Sequence, residues 1–364
     1  MQDSRELISN LLSDRPADRM ALAENIWGQT LQRWLEEGYP TDGDGKPADP
    51  IEHFGFDMGG VGLGLDLMPK RGVSEVLEET DEWIIRRNGA GAALKRWKQR
   101  VGTPQHIDFL MTSRQVWERD YRHHLLEPDR DRLNLAGVAE GLARRREQGR
   151  WAFMGSMFIW ELMRQSLGDT CMYESLLDDP AWIRDYNRVY TDFFRAHYEI
   201  VFEEVGKPDG IRLCEDLGYK NGLFCSPEVM GELIFPYYAE IVDFFHSHDL
   251  PVILHACGGV GQALNLIVEA GFDGLDPMEV NAGCDVFAFA ERCESKLMLR
   301  GGFNKVIVES GDRDFIRRQL TDFLRRIKDA GIRYVFSVDH SVSTNTSYDA
   351  YSYAVQVYRE NMMY

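Results

Sequence analysis

From about residue 209 to the end of the chain, short apolar runs alternate with amphipathic stretches, and this alternation limits the fold more than any other feature of the sequence. It is the signature of βα units laid around a parallel sheet. The expected strands are Gly210 to Asp216, Pro251 to Ala256, Gly274 to Glu279, Leu297 to Arg300 and Arg333 to Val338. The expected helices begin after Ser226-Pro227-Glu228, where Ser caps and Pro takes the first turn, and then cover Gly261 to Ala270, Val286 to Cys293, Asp314 to Ala330 and Tyr348 to Asn361. Five successive units without a Gly-x-Gly-x-x-Gly turn fit a closed (β/α)8 barrel better than a dinucleotide-binding sheet. Upstream, Met20 to Glu24 and Trp151 to Met157 are the candidates for further strands. The stretch from Thr80 to Trp97 reads as a hairpin around Asn88-Gly89. The 364 residues are therefore expected to form one barrel domain, with an N-terminal extension and hairpin within about residues 1–150.

Composition excludes several classes of function. A formal charge of −18 argues against a partner with a phosphate backbone, which is tracked by clustered Lys and Arg, so no nucleic acid is expected. No apolar stretch approaches the roughly 20 residues of a membrane span. Six cysteines without a disulfide rhythm, and a start lacking a basic-then-apolar signal pattern, point to a reducing, cytoplasmic setting.

In a parallel barrel, chemistry collects where strands end and βα loops begin. Here the late strands end in Glu215-Asp216, His255-Ala256-Cys257, Glu279 and Asp339-His340, four polar clusters on one rim. His255 and Cys257 are two apart, so on a strand they share a face, and an imidazole beside a thiol suits a thiophilic metal such as zinc. The same pair would also serve as ordinary buried residues at a sheet edge. His340 is the candidate third ligand, with Asp339, Glu279 or Glu215 as the oxygen alternative, and Cys284 stands in a nearby loop. Glu215, Asp216 and Glu279 are the candidate catalytic carboxylates. Glu215 and Asp216, being adjacent, cannot both face one pocket. Cys214 is expected in the core, and His53-Phe54-Gly55-Phe56-Asp57 offers a His and an Asp among aromatics.

These residues resemble the uroporphyrinogen decarboxylase superfamily, (β/α)8 barrels that include porphyrinogen decarboxylases and zinc-dependent corrinoid-linked methyltransferases. The likeness is carried by Leu11 to Arg19, His53 to Asp57, Glu215 to Gly222, Ser226-Pro-Glu, Phe235-Pro-Tyr-Tyr, Val252 to Gly259, Gly274 to Glu279 and Leu299 to Phe303. It spans most of the chain and is weakest from about 100 to 200. The His-x-Cys-Gly element is similar to the methyltransferase zinc motif, which implies the ligand role for His255 and Cys257. Asp339-His340-Ser341 stands where the methyltransferases usually carry Gly-Cys-Gly. The decarboxylases grip propionates with an N-terminal Arg-Gln-Ala-Gly-Arg cluster, and the matching region here reads Glu24-Asn-Ile-Trp-Gly-Gln. A polycarboxylate substrate would then lack its bidentate partners. The resemblance accordingly implies a zinc-dependent methyltransferase acting on a small, largely apolar methylated compound, with a thiol or a corrinoid as acceptor. The chain has no Asp-x-His-x-x-Gly signature, so any corrinoid would be carried by a separate partner protein. Trp27, Phe54, Phe56, Asp57, Tyr219 and Asp339 are the candidate substrate-binding residues. A decarboxylase of a smaller substrate and a non-catalytic binding barrel remain the alternative readings, and a homodimer is left open.

Overall fold

The computed structural model describes residues 1–99 and 104–364. Eight parallel strands make one sheet in chain order: β1 (Ala21–Leu22), β2 (Met58–Gly62), β3 (Trp151–Met157), β4 (Gly210–Cys214), β5 (Val252–His255), β6 (Gly274–Asp276), β7 (Met298–Arg300) and β8 (Tyr334–Phe336). β1 pairs with β8, and between β1 and β2 the Asp57 amide donates to Leu22 O at 2.7 Å, bringing the two ends of the sheet together. The expected (β/α)8 architecture is thus present. The five late strands and the helices between them lie close to where the alternation places them, ending with helix Tyr348–Asn361. Ser226 caps helix Pro227–Leu233 by accepting from Val229 N. No described helix is long and apolar enough to cross a membrane.

Strand parity sorts the barrel into layers. Leu213, Leu254, Leu275, Leu299 and Phe336 point outward into the core beneath the surrounding helices. The alternate residues point inward: Met58, Trp151, Ile253, Met298 and Val335 fill the lower interior, where helix Ser4–Leu12 seals the bottom with Leu7, Ile8, Leu11 and Leu12. Each such side chain contributes roughly 1.5–3 kcal/mol on burial. Two residues further along the same strands, the inward positions become His255 and Arg300. An apolar floor therefore gives way to a polar chamber at the C-terminal mouth.

Two features depart from the sequence expectation. β2 was not anticipated, because Met-Gly-Gly-Val-Gly contains no apolar run. The expected hairpin is the centre of a four-stranded antiparallel sheet built from Ser74–Glu79, Trp83–Asn88, Ala92–Trp97 and Gln105–Phe109. Its turn is held by Asn88 Oδ1, which accepts from Ala90 N and Ala92 N, and Gly91 takes the positive φ of +83°.

Candidate active site

The chamber at the barrel mouth is a cavity of about 410 Å³, walled by groups from at least five strands or strand ends, among them Glu24, Arg212, Asp216, His255, Arg300 and His340. Among the described residues, the only group of three His, Cys, Asp or Glu side chains able to share a metal ion is here. Asp216, His255 and Cys257 each bring one donor atom within 4.8 Å of the other two. Cys257 Sγ lies 3.5 Å from His255 Nε2, and Asp216 Oδ1 lies 3.7 Å from the same nitrogen. At ordinary bond lengths a tetrahedral zinc sets an imidazole nitrogen and a thiolate about 3.6 Å apart, and a nitrogen and a carboxylate oxygen about 3.4 Å apart. Both the spacing and the nitrogen, sulfur and oxygen donor set fit zinc.

Local folding explains why these atoms converge. His255 is the last residue of β5, and the chain turns at once through Gly258, whose φ is +82° and where a Cβ would sit 2.2 Å from Gly218 C. Only glycine fits that approach. The turn is tied from both sides, since Cys257 N donates to Asp216 Oδ1 at 3.0 Å and Gly258 N donates to Glu279 Oε2 at 2.9 Å. Cys284 Sγ donates to Gly258 O at 3.3 Å. Burial, followed by the carboxylates of Asp216, Glu279 and Asp276, pushes the Cys257 thiol well up. A divalent cation among these groups would offset that penalty.

Behind the cluster, β6 stands in register with β5, so that Asp276 is the partner of His255. Asp276 Oδ1 lies 2.5 Å from His255 Nδ1, and the same carboxylate takes two hydrogen bonds from Arg212, at 2.9 and 2.7 Å. Burial alone would push this carboxyl up. The charges of Arg212, His255 and Arg300, with the hydrogen bonds from Arg212, outweigh it and hold Asp276 well below the usual carboxylate range. Asp276 can only accept, so it favours a proton on Nδ1, although Arg212 Nη2 also stands 2.8 Å from that nitrogen; in the neutral ring Nε2 is then the acceptor that faces Cys257 and Asp216. A carboxylate behind a ligating histidine is the arrangement that fixes tautomer and orientation at metal sites.

The other expected site residues are distributed as follows. His340 and Trp27 line the cavity, Trp27 at its exposed rim, and His340 Nδ1 is buried without a protein partner. His340 is not part of the three-residue cluster; Asp216 takes the third place. Glu215 does not line the cavity. It is buried and accepts from Phe158 N, Trp160 N, Glu161 N and the Tyr238 hydroxyl, capping the start of helix Ile159–Leu167, and burial pushes its carboxyl up to about 8. Glu279 holds the Gly258 turn. Asp339 is buried and accepts from Val280 N and Lys305 N, with its carboxyl raised by burial. Tyr219 is about half exposed on the short hairpin Gly218–Tyr219 with Gly222–Leu223, away from the cavity.

Phe54, Phe56 and Asp57 sit before β2, at the N-terminal end of the barrel, not at the mouth. Phe54 packs edge-on against Tyr351 at 5.0 Å, Phe56 stacks beneath it, and Asp57 is fully engaged with Arg19, Ser4 Oγ and Leu22 N. Cys214 faces the cavity instead of the core, since it shares the parity of Arg212. The sequence reading did not assign Arg212, Arg300, Asp276, Glu24 or Glu161 to the site. A charge inside the apolar runs Ile211-Arg-Leu213 and Met298-Leu-Arg300 was the available signal for the two arginines. A second cleft of about 340 Å³ lies outside the barrel around Phe287 and Arg326. Arg326 stacks on Phe287 there at 3.9 Å, and among the described residues the one three-residue group able to share a metal ion lies at the mouth and not in this cleft.

The structure is an α/β barrel with a polar cavity at its C-terminal mouth, and comparison with known proteins adds to this. Residues 204–361 match the family described as uroporphyrinogen decarboxylase (URO-D). The resemblance read from the sequence to that superfamily is borne out. Among solved structures, a methyltransferase from Methanosarcina mazei is similar over 99% of both chains, with a TM-score of 0.68 and 14% identity. At that identity the likeness is one of fold. A glycosylated endo-beta-1,4-xylanase from Gloeophyllum trabeum matches more distantly, at 10% identity over 64% of this chain and 82% of its own, with a TM-score of 0.39. No curated protein matches significantly by sequence.

Proposed function

We propose that this protein is a zinc-dependent methyltransferase that moves a methyl group from a small methylated compound to a thiol, or to a corrinoid carried by a separate protein. The observation that supports it best is the convergence of Cys257 Sγ, His255 Nε2 and the Asp216 carboxylate at the barrel mouth. The family match and the overall likeness to a methyltransferase barrel are in keeping with it.

Zinc held by these three would supply a Lewis acid for a leaving oxygen, or hold an acceptor thiol as thiolate. The remaining chemistry belongs to the chain. Asp276 keeps the Nδ1 proton of His255 in place, so that the Nε2 lone pair stays available. Asp216 anchors the Cys257 amide and thereby fixes where the sulfur stands. Trp27 and His340 stand on the cavity wall, Trp27 at its exposed rim, where they would contact what enters. Glu24, raised by burial to about 7, is a cavity carboxyl able to give or take a proton near neutral pH.

The test is zinc content by mass spectrometry of protein purified without added metal. Wild type is expected near one zinc per chain and folded Cys257→Ala near none, with methyl transfer falling at least about a thousandfold, or roughly 4 kcal/mol. Near-stoichiometric zinc in folded Cys257→Ala would sink the assignment. His340→Ala is expected to keep its zinc; its loss would restore His340 as a ligand.

A further inference from the structure

Arg300 ends β7 inside the same cavity with only 3% of its surface exposed. Buried guanidiniums are normally saturated with acceptors. Among the described residues nothing accepts a hydrogen bond from Arg300: Nε is buried without a partner, and the nearest anion is Asp276, with Oδ2 3.6 Å from Nη1. Asp276 is already committed, to two hydrogen bonds from Arg212 and to His255 Nδ1. The other carboxylate on this wall, Glu24, spends its oxygens on Ser337 Oγ, Val338 N and Asn25 N. Two guanidiniums therefore face one fully engaged aspartate.

The position is enforced by the backbone. Gly301 follows with φ +96°, and a Cβ there would lie 1.9 Å from Pro277 O. The strand end is thus pressed against the β6 loop, holding Arg300 on the cavity wall beside Asp276.

We propose that Arg300 is the oxyanion-binding residue of this cavity and receives the carboxylate of a small monoanionic substrate, orienting its other end toward His255, Cys257 and Asp216. The planar fork of a guanidinium matches a carboxylate with two parallel hydrogen bonds, which explains an arginine at this place where a lysine would supply only a point charge. A single uncommitted guanidinium selects one carboxylate and not the several of a porphyrinogen. It departs from the expectation of a largely apolar donor, since one cation stands on β7 where the N-terminal region offers none of the decarboxylases' arginine cluster. The inference rests on reading the cavity as the substrate site, and does not require that the three-residue cluster hold a metal.

Isothermal titration calorimetry with methoxyacetate and 3-methoxybenzoate, each against its primary amide, tests the proposal. Both carboxylates are expected to bind at least about tenfold more tightly than their amides, and Arg300→Met is expected to erase the difference while keeping wild-type zinc content. Cys257→Ala is expected to keep the carboxylate preference, so that failure of the metal assignment and failure of this one are read separately. Equal binding of carboxylate and amide by the wild type, or no carboxylate binding at millimolar concentration, would overturn the proposal. So would a preference that survives in Arg300→Met. Should that variant not fold, Arg300→Lys is expected to keep part of the preference, and an unaltered preference there counts against a bidentate role.

Discussion

At the bottom of the barrel Arg19 meets Asp57, and at the mouth Arg212 meets Asp276. Both pairs are buried and bidentate, with Nη2 to Oδ1 at 2.7 Å in each. Their surroundings differ. Asp57 accepts also from Ser4 Oγ and Leu22 N, all of them groups that close the sheet and seat the N-terminal helix. Asp276 spends its remaining capacity on His255, whose other nitrogen faces a thiol, and leaves a second arginine short of acceptors. The bottom pair ends in backbone and structure. The top pair passes its polarity on to atoms that face a cavity. One motif of ion pairing thus serves closure at one end and orientation of reactive groups at the other.

The sharpest way to break this comparison is at the bottom. Asp57→Ala leaves Arg19 buried without its anion and strips Leu22 N of its acceptor, which is expected to cost about 3–5 kcal/mol of stability. Urea unfolding measures the loss. The folded fraction is expected to retain its zinc, and a variant that folds normally but loses zinc would show that the two ends are not separate in role.

At the mouth the expected effect is smaller and of another kind. Asp276→Asn can still accept from Arg212, but its amide turned toward Nδ1 favours the tautomer with the proton on Nε2, where a metal would bind. Loss of such a supporting carboxylate typically costs about 10–100-fold in metal affinity, or roughly 1.4–2.7 kcal/mol. Competition against a zinc chelator reads it directly. An unchanged affinity would mean that Asp276 only neutralises arginines, as Asp57 does.

Much of this contrast was legible before the structure, but unevenly. The strands β4 to β8 stand out because apolar alternation marks each one, and His255 with Cys257 follows from spacing of two on a strand. Parity also places Glu215 and Asp216 on opposite sides, though only the structure shows that Asp216 is the inward one and that Glu215 caps a helix. The register that sets Asp276 beside His255 is tertiary information, absent from any local pattern. Phe54, Phe56 and Asp57 read as binding residues because Met-Gly-Gly-Val-Gly carries no strand signal, and without that strand nothing in the sequence says that they precede β2 and so lie at the bottom. The exposed strand Ser74–Glu79 buries neither face, so no alternation betrays it.

The finest test of the difference between the two ends concerns protonation. Burial raises Glu24, on the cavity wall, from 4.5 to about 7, while Val338 N, Asn25 N, Ser337 Oγ and the charge of Arg300 pull the other way. Between those two values the folded protein binds more protons at this site than the unfolded chain does, so this contribution to stability is fully present below about pH 4.5 and falls as pH rises toward 7. The full shift would correspond to about 3 kcal/mol, and solvent reaching the half-buried side chain reduces this to on the order of 1 kcal/mol. Glu24→Gln removes the titration. The gap between the wild-type and Glu24→Gln unfolding free energies is therefore expected to change in that pH window and to be constant above it, whereas parallel curves throughout would mean that the cavity wall is as wet as the outer surface.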